Sequence, residues 1–136
     1  MQTIDNNDLS VFKTHFNDAD FNTLITYITN ASLHSNPSNR ILYIYGKGGC
    51  GKTTLCNMIK RILSKNNVYI ANKPIYDNTK SIHIYNLDED DTISDYSGIL
   101  KSSLNENTCI IVFELDLPNQ SIDLGLARHL SMIQMF

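Results

Sequence analysis

The chain has 136 residues and a formal net charge of −3, and 42% of its residues are hydrophobic and 18% charged. This balance is typical of one globular domain with a hydrophobic core, and it excludes a disordered chain or a strongly basic nucleic-acid binder. No apolar run is long enough for a transmembrane helix, and the polar, acidic N-terminus is not a secretory signal. The three cysteines, Cys50, Cys56 and Cys109, indicate neither a disulfide framework nor a metal site. We therefore expect an intracellular protein with no membrane partner.

The first predicted element is a helix over about residues 8–33, with Asp20 as its expected N-cap. Apolar residues recur at helical spacing and give it one apolar face, made of Phe21, Leu24, Ile25 and Ile28. A polar loop that contains Pro37 ends the helix. We therefore divide the single domain into a short N-terminal helical segment, residues 1–38, and a core, residues 39–136.

The rest of the chain alternates between predicted strands and helices. Short apolar runs rich in β-forming residues predict strands at residues 41–45, 68–71, 81–87, 109–113 and 131–136. Helical periodicity predicts helices at about residues 52–65, 93–104 and 122–130. Thr92 and Asp95 have the spacing of a capping box before the second of these helices. The alternation implies an α/β layered fold with a parallel sheet.

The most specific motif is a glycine-rich loop between the first predicted strand and its helix. Its sequence is Gly46-Lys47-Gly48-Gly49-Cys50-Gly51-Lys52-Thr53, which fits the phosphate-binding pattern G-x-x-x-x-G-K-[ST]. The glycines let successive backbone N–H groups point at a phosphate, and the helix that follows presents its positive dipole end to the same group.

The side chains of this loop predict which ligand it holds. Lys52 would supply a mobile charge to the β- and γ-phosphates, and the Thr53 hydroxyl is suited to Mg²⁺. We therefore expect residues 46–54, including Thr54, to bind ATP together with Mg²⁺. Cys50 is interpreted as a small side chain at a permissive position, with a redox role as the alternative.

Two acidic pairs compete for the role of metal-binding and water-activating groups. Asp88 and Glu89 follow the third strand, where Asp88 would hold Mg²⁺ and Glu89 would polarise the attacking water. Glu114 and Asp116 end the fourth strand, which has the stronger apolar run. We favour the first pair because ligands of open α/β sheets bind at the carboxyl ends of strands, although Asn86 interrupts that strand's apolar run. The fourth strand would then be free to place a polar sensor beside the γ-phosphate, with the candidates Asp116, Glu114 and Asn119.

Taken together, these segments resemble the superfamily 3 helicases of small DNA viruses, an AAA+-like group of P-loop NTPases. The phosphate loop and its flanks, residues 41–63, look like the Walker A segment of that group, and Asp88-Glu89 resembles a Walker B ending. The strand at residues 109–118 is similar to the one that carries motif C. Residues 124–136 resemble the family's arginine followed by a strand closing in phenylalanine.

The resemblance implies an AAA+-like three-layer fold and a homo-oligomer that forms a hexameric ring. Arg128 would reach the γ-phosphate of the neighbouring subunit as an arginine finger, so that Lys52, Glu89 and Arg128 form the implied catalytic set. ATP hydrolysis would drive movement on single-stranded DNA or RNA. The alternatives are a nucleotide-dependent switch or signalling ATPase without unwinding activity, and a module that binds nucleotide without hydrolysing it.

Overall fold

The computed structural model describes residues 9–33, 41–64, 68–75, 81–88, 90–104, 109–115, 122 and 124–136. The helices in this part of the chain are α1 (Asp18–Ser32), α2 (Lys52–Ile62), α3 (Ser97–Ser103) and α4 (Leu124–Ala127). Short 3₁₀ turns are formed by Lys13–His15 and Ile93–Tyr96. The strands are β1 (Ile41–Gly46), β2 (Val68–Ala71), β3 (Ile82–Asn86), β4 (Cys109–Leu115) and β5 (Leu130–Gln134).

The strands form one five-stranded sheet in the order β2-β3-β4-β1-β5. Every neighbouring pair is parallel. Strands β1 and β4 lie inside the sheet and are buried along almost their whole length, which explains their near-continuous apolar sequences. The α/β fold with a parallel sheet, predicted from the alternation of elements, is confirmed.

Helices cover both faces of the sheet, and the sheet separates the hydrophobic core into two layers. On one face, α1 and α2 bury Leu24, Ile28, Leu55 and Ile59 against alternate strand residues such as Ile84 and Ile111. On the other face, the segment around α3 and α4 packs Ile93, Leu100 and Leu126 against Tyr43, Tyr85 and Val112. The result is a three-layer α/β arrangement. Among the described residues, none of the helices is long and apolar enough to cross a membrane.

The N-terminal helix begins differently from the sequence expectation. Asn17, not Asp20, is the N-cap of α1, because Asn17 Oδ1 accepts a hydrogen bond from the Asp20 backbone N–H at 2.7 Å. Asp20 lies in the first turn, and its Oδ2 instead accepts the backbone N–H of Gln134 in β5 at 3.1 Å. The predicted N-cap was therefore wrong, and this carboxylate ties α1 to the edge of the sheet.

Several other boundaries also move. Helix α2 ends at Ile62 instead of near residue 65, and β5 spans Leu130–Gln134 instead of residues 131–136. The predicted helix over 93–104 is a 3₁₀ turn followed by α3, and Asp95 Oδ2 accepts the Thr92 N–H at 3.1 Å as its capping role requires. Strand β4 continues two residues beyond its predicted end, to Leu115. That extension puts Glu114 inside the strand instead of just after its predicted last residue.

Candidate phosphate-binding site

The glycine-rich loop follows β1 and contains three positions that require glycine. Gly49 and Gly51 have φ angles of 82° and 99°, in the left-handed region that disfavours other residues. At Gly46 the reason is close approach, because a Cβ there would lie 2.3 Å from the carbonyl oxygen of Met135. The glycines therefore shape the loop for two distinct reasons, one conformational and one steric.

Lys52 begins α2, and its side chain turns back over the loop. The side chain is buried, and its Nζ donates to the backbone oxygens of Gly46 at 2.5 Å and Lys47 at 3.1 Å. The same Nζ lies 3.7 Å from the Cys50 Sγ. A positive charge is thus held by carbonyl dipoles at the place where the loop would receive a phosphate.

A pocket of about 560 Å³ opens above this loop. The loop and the start of α2 line one side of it with Gly48, Gly49, Gly51, Lys52, Thr53 and Thr54. The ends of β3 and β4 line the other side with Asn86, Leu87, Asp88 and Leu115. Gly46, Lys47 and Cys50 belong to the loop but are not among the lining residues. The pocket lies at the carboxyl edge of the parallel sheet, where α/β proteins bind ligands, and its size suits a small-molecule ligand.

Asp88 is the acidic side chain among the described residues that line this pocket. It is exposed, and its Oδ2 accepts a hydrogen bond of 3.0 Å from Nδ2 of Asn72, which follows β2. Sequence reasoning missed Asn72, although a polar residue directly after a parallel strand is a signal that could have indicated it. It also treated Asn86 as a mere interruption of an apolar run. Glu89 lies outside the described residues.

The competing acid, Glu114, has a different environment. It is 3% exposed and faces the α3 side of the sheet, where Tyr43 Oη donates to one carboxylate oxygen and the Ile93 N–H donates to the other at 2.6 Å. Burial raises the pKa of Glu114 above its ordinary value, and these two hydrogen bonds oppose that rise. Glu114 does not line the pocket, whereas its neighbour Leu115 does. Asp116 and Asn119 lie outside the described residues.

Arg128 lies near the amino ends of the strands, whereas the pocket lies at their carboxyl ends. It sits in the turn before β5, whose first residue Leu130 pairs with Ile41, the first residue of β1. The phosphate loop follows the other end of β1, at Gly46, roughly 17 Å away at about 3.3 Å per residue. Arg128 is exposed and is not among the residues that line the pocket of its own chain.

The cysteines and the metal-binding residue types add little to the site. Cys50, Cys56 and Cys109 are free thiols. Burial raises the pKa of Cys56 and of Cys109 to about 11, so both are unreactive at neutral pH. Within the described ranges, no group of three His, Cys, Asp or Glu side chains could hold a metal ion.

A phosphate loop on β1, an acidic residue after β3 and the strand order seen here together define a P-loop NTPase of the AAA+ class. The sequence model of the PrkA AAA domain matches residues 4–114, and the chain belongs to that family. The AAA+-like class expected from sequence is therefore confirmed. The match is not to superfamily 3 helicases in particular, so that narrower resemblance gains no support from it.

Solved structures share the fold at low sequence identity. The structure of C. elegans PCH-2 matches with a TM-score of 0.54 and 13% identity over 94% of this chain and 46% of that one. The FIGL-1 AAA domain in complex with ADP matches with a TM-score of 0.49 and 12% identity over 99% of this chain and 63% of that one. The chain thus spans less than two thirds of either structure. No curated protein matches it.

Proposed function

We propose that this domain binds ATP with Mg²⁺ and hydrolyses it. The observation that carries the proposal is the pocket of about 560 Å³ in which the phosphate loop, Lys52 and Asp88 meet. Membership of the AAA+ class supports an ATPase activity. Binding of nucleic acid or of other partners is also only proposed, because membership of the AAA+ class does not by itself imply it.

The residues present fit a nucleoside triphosphate. The left-handed backbone conformations of Gly49 and Gly51 would turn successive N–H groups of the loop toward a phosphate. The start of α2 would add further N–H groups and the positive end of the helix dipole. The Lys52 ammonium group is held by carbonyl oxygens, which are weaker partners for a cation than phosphate oxygens. A triphosphate would therefore draw Lys52 away from the loop and be held by it.

The same pocket also fits a hard divalent cation. Thr53 and Asp88 supply hydroxyl and carboxylate oxygens, the ligand types that Mg²⁺ prefers, and few protein ligands are needed because phosphates and water complete its shell. When bound, Mg²⁺ would neutralise phosphate charge. Asn72 would keep the Asp88 carboxylate turned toward this position through its 3.0 Å hydrogen bond.

Hydrolysis requires two further groups, which we assign to Glu89 and Arg128. Glu89 follows Asp88 directly in sequence and would orient the attacking water. Arg128 lies at the far edge of the sheet from its own pocket, so it would act on the nucleotide of a neighbouring copy. This role requires a homo-oligomer, which is a hexameric ring if the helicase resemblance holds.

A nucleotide-dependent switch is the second candidate function. Leu115, the β4 residue that lines the described pocket, is apolar, and Glu114 is turned to the other face of the sheet. The described part of β4 thus places no polar side chain in the pocket, and such a site favours coupling of nucleotide state to shape without unwinding. Stimulation of hydrolysis by single-stranded DNA or RNA, together with ATP-dependent oligomerisation in size-exclusion chromatography, would favour the motor. Indifference to both would favour the switch.

The test of the proposed activity is phosphate release from ATP by the wild type and by Lys52→Ala. The variant should lose turnover, since the charge that holds the β- and γ-phosphates is removed. The matched control is Lys60→Ala, which removes an exposed lysine from the same helix outside the pocket and should hydrolyse ATP normally. Turnover in Lys52→Ala equal to that of the control would remove the proposal.

A further inference from the structure

Asn86 is a polar residue of β3 that belongs neither to the phosphate loop nor to the acidic pair that follows the strand. It ends β3 and pairs with Phe113 of β4. The four preceding residues of the strand are buried, whereas Asn86 is partly exposed and lines the pocket above the phosphate loop. Its carboxamide is therefore accessible to a ligand in the pocket.

The direction of Asn86 follows from the alternation of β3. Ile82 and Ile84 pack in the core layer under α1 and α2, whereas Tyr85 and Leu87 pack in the opposite layer. Because side chains alternate along a strand, Asn86 faces the same side as Ile82 and Ile84, which is the side of α2 and its first turn. Thr53 and Lys52 of that turn line the same pocket.

Asn86 differs in chemistry from its neighbours in the pocket. It is the one carboxamide among the described lining residues, and it is followed two residues later by the Asp88 carboxylate. The Nδ2 group donates hydrogen bonds without adding charge, so it can approach a phosphate that a second carboxylate would repel. The β4 residue that lines the described pocket, Leu115, provides no such donor.

We infer that Asn86 donates a hydrogen bond to the terminal phosphoryl group of a bound nucleoside triphosphate and so makes the pocket favour the triphosphate over the diphosphate. This inference rests on the proposed function, because it requires nucleotide in the pocket. The loop amides and Lys52 hold the phosphates nearest to the loop, whereas Asn86 reaches the pocket from the opposite wall, at the end of β3. Asn86 would thus serve as a sensor located on β3.

The experiment compares the affinity of Asn86→Ala for the non-hydrolysable analogue AMPPNP with its affinity for ADP, by calorimetry in the presence of Mg²⁺. Loss of a hydrogen bond to a charged group should raise the Kd for AMPPNP about tenfold or more. The Kd for ADP should change by less than about twofold, because the remaining contacts are kept. The matched control, Asn57→Ala, removes an exposed asparagine of α2 outside the pocket and should leave both values unchanged.

A second variant keeps the inference testable if Asn86→Ala does not fold. Asn86→Asp has nearly the same shape but places a second carboxylate beside Asp88, so AMPPNP affinity should fall by a larger factor than ADP affinity. Equal losses for the two nucleotides, or no loss, would overturn the inference and leave Asn86 a structural residue.

The proposed function fails in a different way. If the wild type binds neither nucleotide, the proposed function and the inference fall together. If the wild type binds both and the variants keep its preference, only the inference is lost.

Discussion

Two acidic residues at the ends of neighbouring strands have opposite environments. Asp88 follows β3, is exposed, and lines the pocket beside the phosphate loop. Glu114 lies near the end of β4, is 3% exposed, and faces the other side of the sheet. From the sequence alone, both belonged to candidate metal-binding pairs, and the pair that contains Asp88 was favoured.

The partners of the two carboxylates explain the contrast. Asp88 accepts a single described hydrogen bond, from Asn72, and keeps its remaining acceptor capacity toward the pocket. Glu114 accepts from Tyr43 on one oxygen and from Ile93 on the other. A carboxylate with its oxygens already engaged in the interior serves the fold, whereas one with open acceptor sites at the rim of a pocket is available to a ligand.

The largest expected effect is on catalysis and comes from Asp88→Asn. Loss of the charge should lower the rate of ATP hydrolysis by about 100-fold or more, since metal-assisted charge stabilisation contributes several kcal/mol to the barrier. The free energy of unfolding should stay within about 0.5 kcal/mol of the wild type, because the side chain is exposed. Steady-state phosphate release and urea unfolding measure the two quantities. A variant with normal turnover would show that Asp88 is not the metal-binding acid.

The reverse pattern is expected for Glu114→Ala. The buried Ile93 N–H and the Tyr43 hydroxyl lose their acceptor, so the free energy of unfolding should fall by about 2 kcal/mol in urea titrations. Glu114→Gln keeps an acceptor and should lose less than half as much. If the alanine variant unfolds like the wild type but cannot hydrolyse ATP, the assignments of the two acids must be exchanged.

The sequence predicted the phosphate loop and the strands better than it predicted which face of the sheet each acidic side chain occupies. The complete loop motif and the strand before it were sufficient to predict the phosphate loop, because its glycines and Lys52 are fixed by local backbone chemistry. The parallel sheet followed from the alternation of apolar runs. The facing of Glu114 could not be predicted, because it depends on where β4 ends, and an extension of two residues decided it.

Contacts between segments that lie far apart along the chain could not be predicted from the sequence either. Asn72 and Asp88 are 16 residues apart and meet because β2 and β3 are neighbours in the sheet. The N-cap of α1 was misassigned because Asp20 and Asn17 are both good caps, and the Asp20 carboxylate instead accepts a hydrogen bond from the Gln134 N–H of β5. The capping propensity of a residue reflects its local sequence and does not indicate which distant residues it will bond to.

A smaller effect is expected for the residue that positions Asp88. Asn72→Ala removes the 3.0 Å hydrogen bond to the carboxylate but no group of the pocket lining. The Mg²⁺ concentration for half-maximal hydrolysis should rise about tenfold, as for other residues that orient a metal ligand, with kcat at saturating Mg²⁺ nearly unchanged. A serine at this position retains a donor and should restore part of the difference. A fall in kcat that excess Mg²⁺ does not correct would contradict a positioning role.

The smallest effect concerns pH and comes from the buried carboxyl group of Glu114. Burial raises its pKa in the folded state above the ordinary value of 4.5, so the folded chain binds more protons than the unfolded chain between these two values. By linkage, the stability due to this group is complete below about pH 4.5 and is lost as pH rises through the folded pKa, with a slope of at most about 1.4 kcal/mol per pH unit. Urea unfolding of the wild type and Glu114→Gln across this range isolates the contribution, because all other groups cancel in the difference. A difference that grows with increasing pH in favour of the glutamine variant is expected, and the opposite sign would mean that the hydrogen bonds from Tyr43 and Ile93 outweigh burial.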